Sequence, residues 1–357
     1  MPQYSTRMRL VFIAAMVFTG VTVAMGSIVA ATDSSAACPA WPACYPGQVR
    51  PELVATWTQN PALEMAHRTI STGVLVFLAL AGWLGRRDPD PRVRLYPWFA
   101  LVGAVAAAIF GMIVVLFHLP KPLAMLDAGG ALLALLFITH GVRAVTSSES
   151  GRTSSSVRPA RWALAAFGLL WVMHCLGILI AGRTPEGAAS FTRVISWPTW
   201  QLIPLDLAPS VQILRMMLAV AAVACIVAAL IAARHDAALR LPSAVLVVAV
   251  AGEVALGLFI RESGFEALDP GALGALYAGV AVVILWVLAW MSGEWRLPGL
   301  SRRQLSAVAQ VEAGTPQQVT DQRARLAALL SNPDPALSIG GDAVDDVRRM
   351  RDREWPD

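Results

Sequence analysis

Runs of about twenty apolar residues, the length a helix needs to cross a bilayer, recur along this chain with short polar breaks between them. They fall near 10–31, 66–85, 96–117, 123–142, 162–182, 210–233, 241–260 and 271–291. Each predicts one transmembrane helix, which makes eight. The first run is too long and too uncapped for a cleaved leader and is expected to stay as a helix. After Trp295 the pattern stops and the chain turns polar. The fold class this implies is all-α: an integral membrane protein of eight spans with a polar C-terminal tail.

Composition agrees: 56% of the residues are apolar and 15% charged, with a mean hydropathy of +0.59, values of a membrane protein. The arginines add an orientation. Arg7 and Arg9 precede the first span, and Arg86, Arg87, Arg92 and Arg94 join the second to the third. Arg143, Arg152, Arg158 and Arg161 join the fourth to the fifth, and Arg234 and Arg240 the sixth to the seventh. The opposite loops hold only Arg50, Lys121, Arg183, Arg193 and Arg261. By the positive-inside rule both termini are cytoplasmic and the protein is multi-pass in the cell (inner) membrane. The pI near 9.2 reflects that asymmetry and gives no reason to invoke nucleic acid.

The stretch from Ser147 to Ser156 is rich in Ser and Gly and reads as a flexible cytoplasmic linker. It divides the chain into a first four-helix bundle (1–146), a linker (147–161), a second bundle (162–296) and a tail (297–357). The tail carries a helical pattern around Val319–Leu330 and reads as a solvated segment rather than a docking module. The halves echo each other. GSIVAAT from Gly26 to Thr32 parallels GILIAGRT from Gly177 to Thr184, and Trp41-Pro42 parallels Trp197-Pro198. Glu64 and His67 parallel Gln212 and Arg215 at the same offset. With an even number of spans per half, the repeats run in the same direction about an axis along the membrane normal. Bundle cores of this kind hold cofactors.

Ionisable residues inside spans are costly and mark candidate sites. Glu64 and His67 stand one helical turn apart where the second span begins, just after the loop CPAWPAC from Cys38 to Cys44. That loop lies on the oxidising side, and its spacing, with Pro39 and Pro42 inside it, allows a tight closure. No histidine or third cysteine lies nearby, so a disulfide is the expected state rather than a metal site. Cys175 and Cys225 lie within spans and read as buried apolar thiols. Asp127 in the fourth span, Arg215 in the sixth and Leu276 or Tyr277 in the eighth fall at the depth of His67. Two facing histidines at such positions would clamp a haem iron. Here one of the four is a histidine. Glu253, midway along the seventh span, needs a partner, for which Arg215 is the first candidate. His174 in the fifth span is either an interhelical hydrogen-bonding group or a substitute axial ligand. His118 reads as a solvated loop residue, and His140 and His235 as interfacial ones.

CPAWPAC, the Glu-x-x-His-Arg start of the second span, GMIVVLFHLPKPLAML before and into the fourth, and SWPTWQLIP in the second large loop resemble the haem A synthase family over roughly 8–293. The resemblance implies two pseudo-symmetric four-helix bundles. It implies oxidation of the C8 methyl of haem O to the formyl of haem A for cytochrome oxidase. The first bundle would take the substrate haem and the second a haem b, each between two histidines. Residue by residue, Glu64 matches the catalytic carboxylate and His67 an axial ligand, and Cys38 and Cys44 match the loop cysteines. The remaining ligand positions fall on Asp127, on Arg215 and on Leu276 or Tyr277. Arginine stays protonated and leucine has no donor, so neither ligates iron, whereas tyrosine does so in some haem proteins. The implied partners are the haem substrate, the lipid bilayer, and haem O synthase or cytochrome oxidase assembly factors. Two further readings stand beside the enzyme. One is a non-catalytic descendant that binds haem or helps assemble a respiratory complex. The other is a transporter, which the absence of paired Gly/Pro breaks in the spans disfavours.

Overall fold

The computed structural model describes residues 4–32, 34–48, 51, 54, 56, 59–117, 121–146, 157–180, 209–262 and 272–293. Within these, helices long and apolar enough to cross a membrane cover Thr6–Ala31, Pro61–Gly85, Pro91–Leu116, Pro122–Thr146, Val157–Ile178, Ile213–Ala233, Ala237–Ile260 and Ala272–Ser292. All eight expected spans are present, and the chain is built as a multi-pass helical membrane protein. In chain order the helices are α1 (Thr6–Ala31), α2 (Pro61–Gly85), a short α3 (Pro91–Arg94), α4 (Tyr96–Leu116) and α5 (Lys121–Thr146). They continue as α6 (Val157–Ile180), α7 (Pro209–Ala233), α8 (Arg240–Glu262) and α9 (Ala272–Ser292).

Helix starts differ from the hydropathy windows for a local reason. The α2 helix begins at Pro61 rather than at 66, because Asn60 caps it. The Asn60 side chain accepts the Ala62 N–H at 3.0 Å, and Pro61 fits the first helical position, where no donor is needed. Glu64 follows in the first turn, favoured there by the positive end of the helix dipole. Residues 157–161, expected as linker, form the first turn of α6, where Pro159 is tolerated. The rest of the expected linker (147–156), His118, the SWPTWQLIP loop and the whole tail lie outside the described residues.

Helices α1, α2, α4 and α5 close a ring, α1 on α2 and α5, and α4 on α2 and α5. Helices α6, α7, α8 and α9 repeat that order of neighbours, with only light contact between α7 and α8. The rings meet along α1, α5, α6 and α9. Without a hydrophobic force between helices in lipid, close packing of small residues does the work. A Cβ added at Gly103 on α4 would lie 2.8 Å from the Gly130 carbonyl on α5, and one at Gly130 would lie 2.9 Å from the Gly103 carbonyl. Between the rings, Gly20 of α1 receives the Trp286 ring of α9. His140 is not interfacial as its position near a helix end suggested. It is buried and hydrogen-bonded through Nε2 to the Ser292 hydroxyl at 2.8 Å. Arg92 is buried beside this pair of helices and donates to the Gly293 carbonyl at 2.8 Å. His235 is exposed, as expected.

Side chains fill the first ring only at one end. Phe12, Ala15, Val74, Leu78, Ala134 and Ile138 pack solidly away from the cysteine loop. The half nearer that loop is hollow.

Candidate functional site

The start of α2 sets the site. Residues three apart share a helix face, and Glu64 and His67 both line the hollow half of the first ring. Arg68, one turn after Glu64, donates from Nε to Glu64 Oε1 at 2.7 Å. Its guanidinium also reaches over the cysteine loop. Nη1 donates to the carbonyls of Ala40 at 2.7 Å, Pro42 at 3.2 Å and Ala43 at 3.3 Å, and Nη2 to that of Cys38 at 3.0 Å. A tight, Pro-rich loop leaves carbonyls without backbone partners, and a guanidinium fork supplies the donors. Cys38 and Cys44 are joined as a disulfide, with Cα atoms 4.2 Å apart, and both are fully buried. Trp41 and Pro42 at the tip of this loop form part of the cavity wall. Arg68 therefore clasps a disulfide-closed cover to the carboxylate below it.

The cavity itself measures about 800 Å³ and is bounded by α1, α2, α4 and α5, with Ile178 of α6 at its edge. Its volume comes from small residues facing inward, among them Gly26, Ala30, Ala104, Ala108, Gly111 and Ala128. Asp127 of α5 lines the same space as His67 of α2, so the sequence-predicted pair is brought together across one ring. Each is seated in a glycine notch. A Cβ at Gly26 would stand 3.2 Å from His67 Nε2, and one at Gly111 would stand 3.4 Å from Asp127 Oδ2. Threonines and serines of α1 and α2 add hydroxyls to the wall, and Thr22 Oγ1 has no hydrogen-bond partner among the described residues. A largely apolar cleft of this size with a few convergent polar groups is the usual form of a cofactor or small-molecule site. The donor set fits a haem on the α2 side, where an imidazole faces the cavity.

The second ring differs. Arg215 of α7, Tyr277 of α9, His174 of α6 and Glu253 of α8 are each 1% exposed, so all four helices send a polar group inward. Leu276, the alternative to Tyr277, is 54% exposed on the outer face of the ring. Arg215 donates from Nε to the Met173 carbonyl at 3.3 Å and fills a notch at Gly177, where a Cβ would lie 3.0 Å from Nη2. The Tyr277 hydroxyl sits in a matching notch at Gly257, 3.1 Å from where a Cβ would be. Such a donor set does not fit an iron clamped between two imidazoles.

Sequence reasoning placed Glu64, His67 and Asp127 by depth but missed the clasp. Arg68 stands one turn after Glu64, a spacing at which ion pairs form on a helix. Nothing in it announced that the other guanidinium nitrogens would hold the loop. The two glycine notches of the first ring were also missed, because a glycine in an apolar span carries no sign of what faces it.

Among the described residues, fold and site together define a class: a helical membrane protein of eight spans with a histidine–carboxylate cavity in one of its two rings, under a disulfide loop. Residues 1–139 match the family model described as "Cytochrome oxidase assembly protein". The chain is also similar to two proteins named heme A synthase. That of Lysinibacillus sphaericus (strain C3-41) is 31% identical over 129 residues, 35% of this chain and 40% of the relative. That of Geobacillus thermodenitrificans is 25% identical over 159 residues, 42% of this chain and 49% of the relative. The match thus spans less than half the length of either relative. Over the matched residues, which include the ring with the cavity, the chain is similar to the haem A synthase proteins.

Proposed function

We propose that this protein is haem A synthase-like and oxidises the C8 methyl of haem O to the formyl of haem A for cytochrome oxidase, with the substrate held in the first ring. The observation that carries this reading is the presentation of Glu64 and His67 side by side on the wall of the 800 Å³ cavity. The family match over the same ring supports it. His67 would hold the iron of the substrate haem, and Asp127 faces the same space from α5. Glu64, paired with Arg68 at 2.7 Å, lies beside the reacting edge. Its carboxylate stabilises positive charge developing as the methyl is oxidised and takes the proton from the water that supplies the formyl oxygen. Going from methyl to formyl with water releases two electron pairs and four protons, the electrons passing to an acceptor. In this reading the cysteine loop faces the outer side of the cell membrane and both termini are cytoplasmic. Haem O synthase, as the source of the substrate, and cytochrome oxidase assembly factors are the partners.

The experiment is complementation of a synthase-deficient host supplied with haem O, with haem analysis of the purified protein. Glu64→Gln should keep its haem and make no haem A, while His67→Ala should lose the haem. If the unmodified protein makes no haem A there, catalysis is ruled out. Arg215 at a ligand position favours a second reading, a non-catalytic descendant that binds haem or aids assembly. That reading gains if haem is bound and never converted.

A further inference from the structure

The four buried polar groups of the second ring lie toward the same end of it, within about one helical turn of each other in depth. Arg215 lies six residues into α7 and Tyr277 five into α9, while His174 lies six before the end of α6 and Glu253 nine before the end of α8. At about 1.5 Å per residue, each is on the order of 8–14 Å from the same end of the ring. This is the level at which facing imidazoles would hold an iron. Protein groups occupy it instead. The Arg215 guanidinium lies in the Gly177 notch of α6 and the Tyr277 hydroxyl in the Gly257 notch of α8, one turn beyond Glu253. Tyr277 is near enough to both Arg215 and Glu253 to feel their charges, and each of the four groups has an interaction partner. A guanidinium and a carboxylate buried to this extent are tolerated only as partners in a network, since removing one leaves the other as an uncompensated charge.

We propose that the second ring holds no prosthetic group, and that the Arg215–Tyr277–Glu253 cluster, flanked by His174, takes the place of one as the internal anchor of α6, α7, α8 and α9. The chain then accommodates one haem at most, in the cavity of the first ring. The two glycine notches are the steric half of the device, because they make room for long polar side chains between neighbouring helices. The opposed charges are the other half. This proposal stands apart from the catalytic reading: a protein that makes no haem A leaves it untouched.

The test uses the full chain in detergent. Haemin is titrated into the unmodified protein and into His67→Ala, read by the low-spin haem spectrum and the haem-to-protein ratio. The expected plateau is one haem per chain or fewer in the first and none in the second. A stoichiometric low-spin haem that survives His67→Ala, and disappears when His174→Ala or Tyr277→Phe is added, overturns the proposal. The anchor is tested by thermal unfolding of Arg215→Met, Glu253→Gln and the double variant. Each single change should lower Tm, and the double should lower it by less than the sum. Additive losses overturn the charge cluster as anchor. If Arg215→Met fails to fold, the same cycle run with Tyr277→Phe and Glu253→Gln decides the point.

Discussion

At the scale of single residues, Arg68 has the most to do. One side chain pairs with Glu64 and takes four loop carbonyls, so it couples the cavity wall to the disulfide cover. The pair is nearly out of solvent, with side-chain exposures of 11% and 6%, and breaking a buried pair costs on the order of 3–5 kcal/mol. Arg68→Gln is therefore expected to lower Tm and to open the loop to protease. Lysine keeps the charge without the planar fork, so Arg68→Lys should recover only part of the loss. A loop as protease-resistant in Arg68→Gln as in the unmodified protein would remove the clasp from the account.

Among the elements, the contact between α4 and α5 depends on the absence of two side chains. Gly103 and Gly130 face each other's carbonyls at distances no Cβ tolerates, so the helix axes approach because both positions are bare. Gly130→Ala should cost about 1–3 kcal/mol through overpacking. Gly168 of α6 is the control, since a Cβ there meets nothing within 4 Å. There alanine should stabilise by about 0.4–1 kcal/mol through the unfolded chain. Thermal unfolding of both variants checks the pair, and equal shifts would mean that α4 and α5 do not touch as described. Sequence alone ranks these glycines together, because helix propensity penalises each alike.

For the whole molecule, the two rings are joined by polar contacts as well as apolar packing. His140 of α5 and Ser292 of α9 form a buried hydrogen bond across 152 residues of chain, and Gly20 seats Trp286 nearby along α1. Removing one partner strands the other, whereas removing both is milder. His140→Leu and Ser292→Ala should thus each destabilise by about 1–3 kcal/mol, with the double variant no worse than the more damaging single one. A double-mutant cycle on Tm measures this, and strict additivity would mean that the hydrogen bond does not join the rings.

The spans and their order were legible in the sequence, because membrane crossing depends on length and hydropathy, both properties of consecutive residues. Glu64, His67 and Asp127 were legible as well, since an ionisable residue in an apolar run stands out wherever the run folds. Their shared cavity was not legible. It exists because small residues on four separate helices happen to face one axis, and no single stretch of chain carries that coincidence. The reading of His140 as interfacial failed for the same reason: depth along one helix says nothing about the serine that a helix from the other ring brings beside it. Chain order and local chemistry determined which helices form and which residues carry charge. Only the packing of helix on helix decided that one ring holds a cavity under a clasped loop while the other buries four polar side chains of its own.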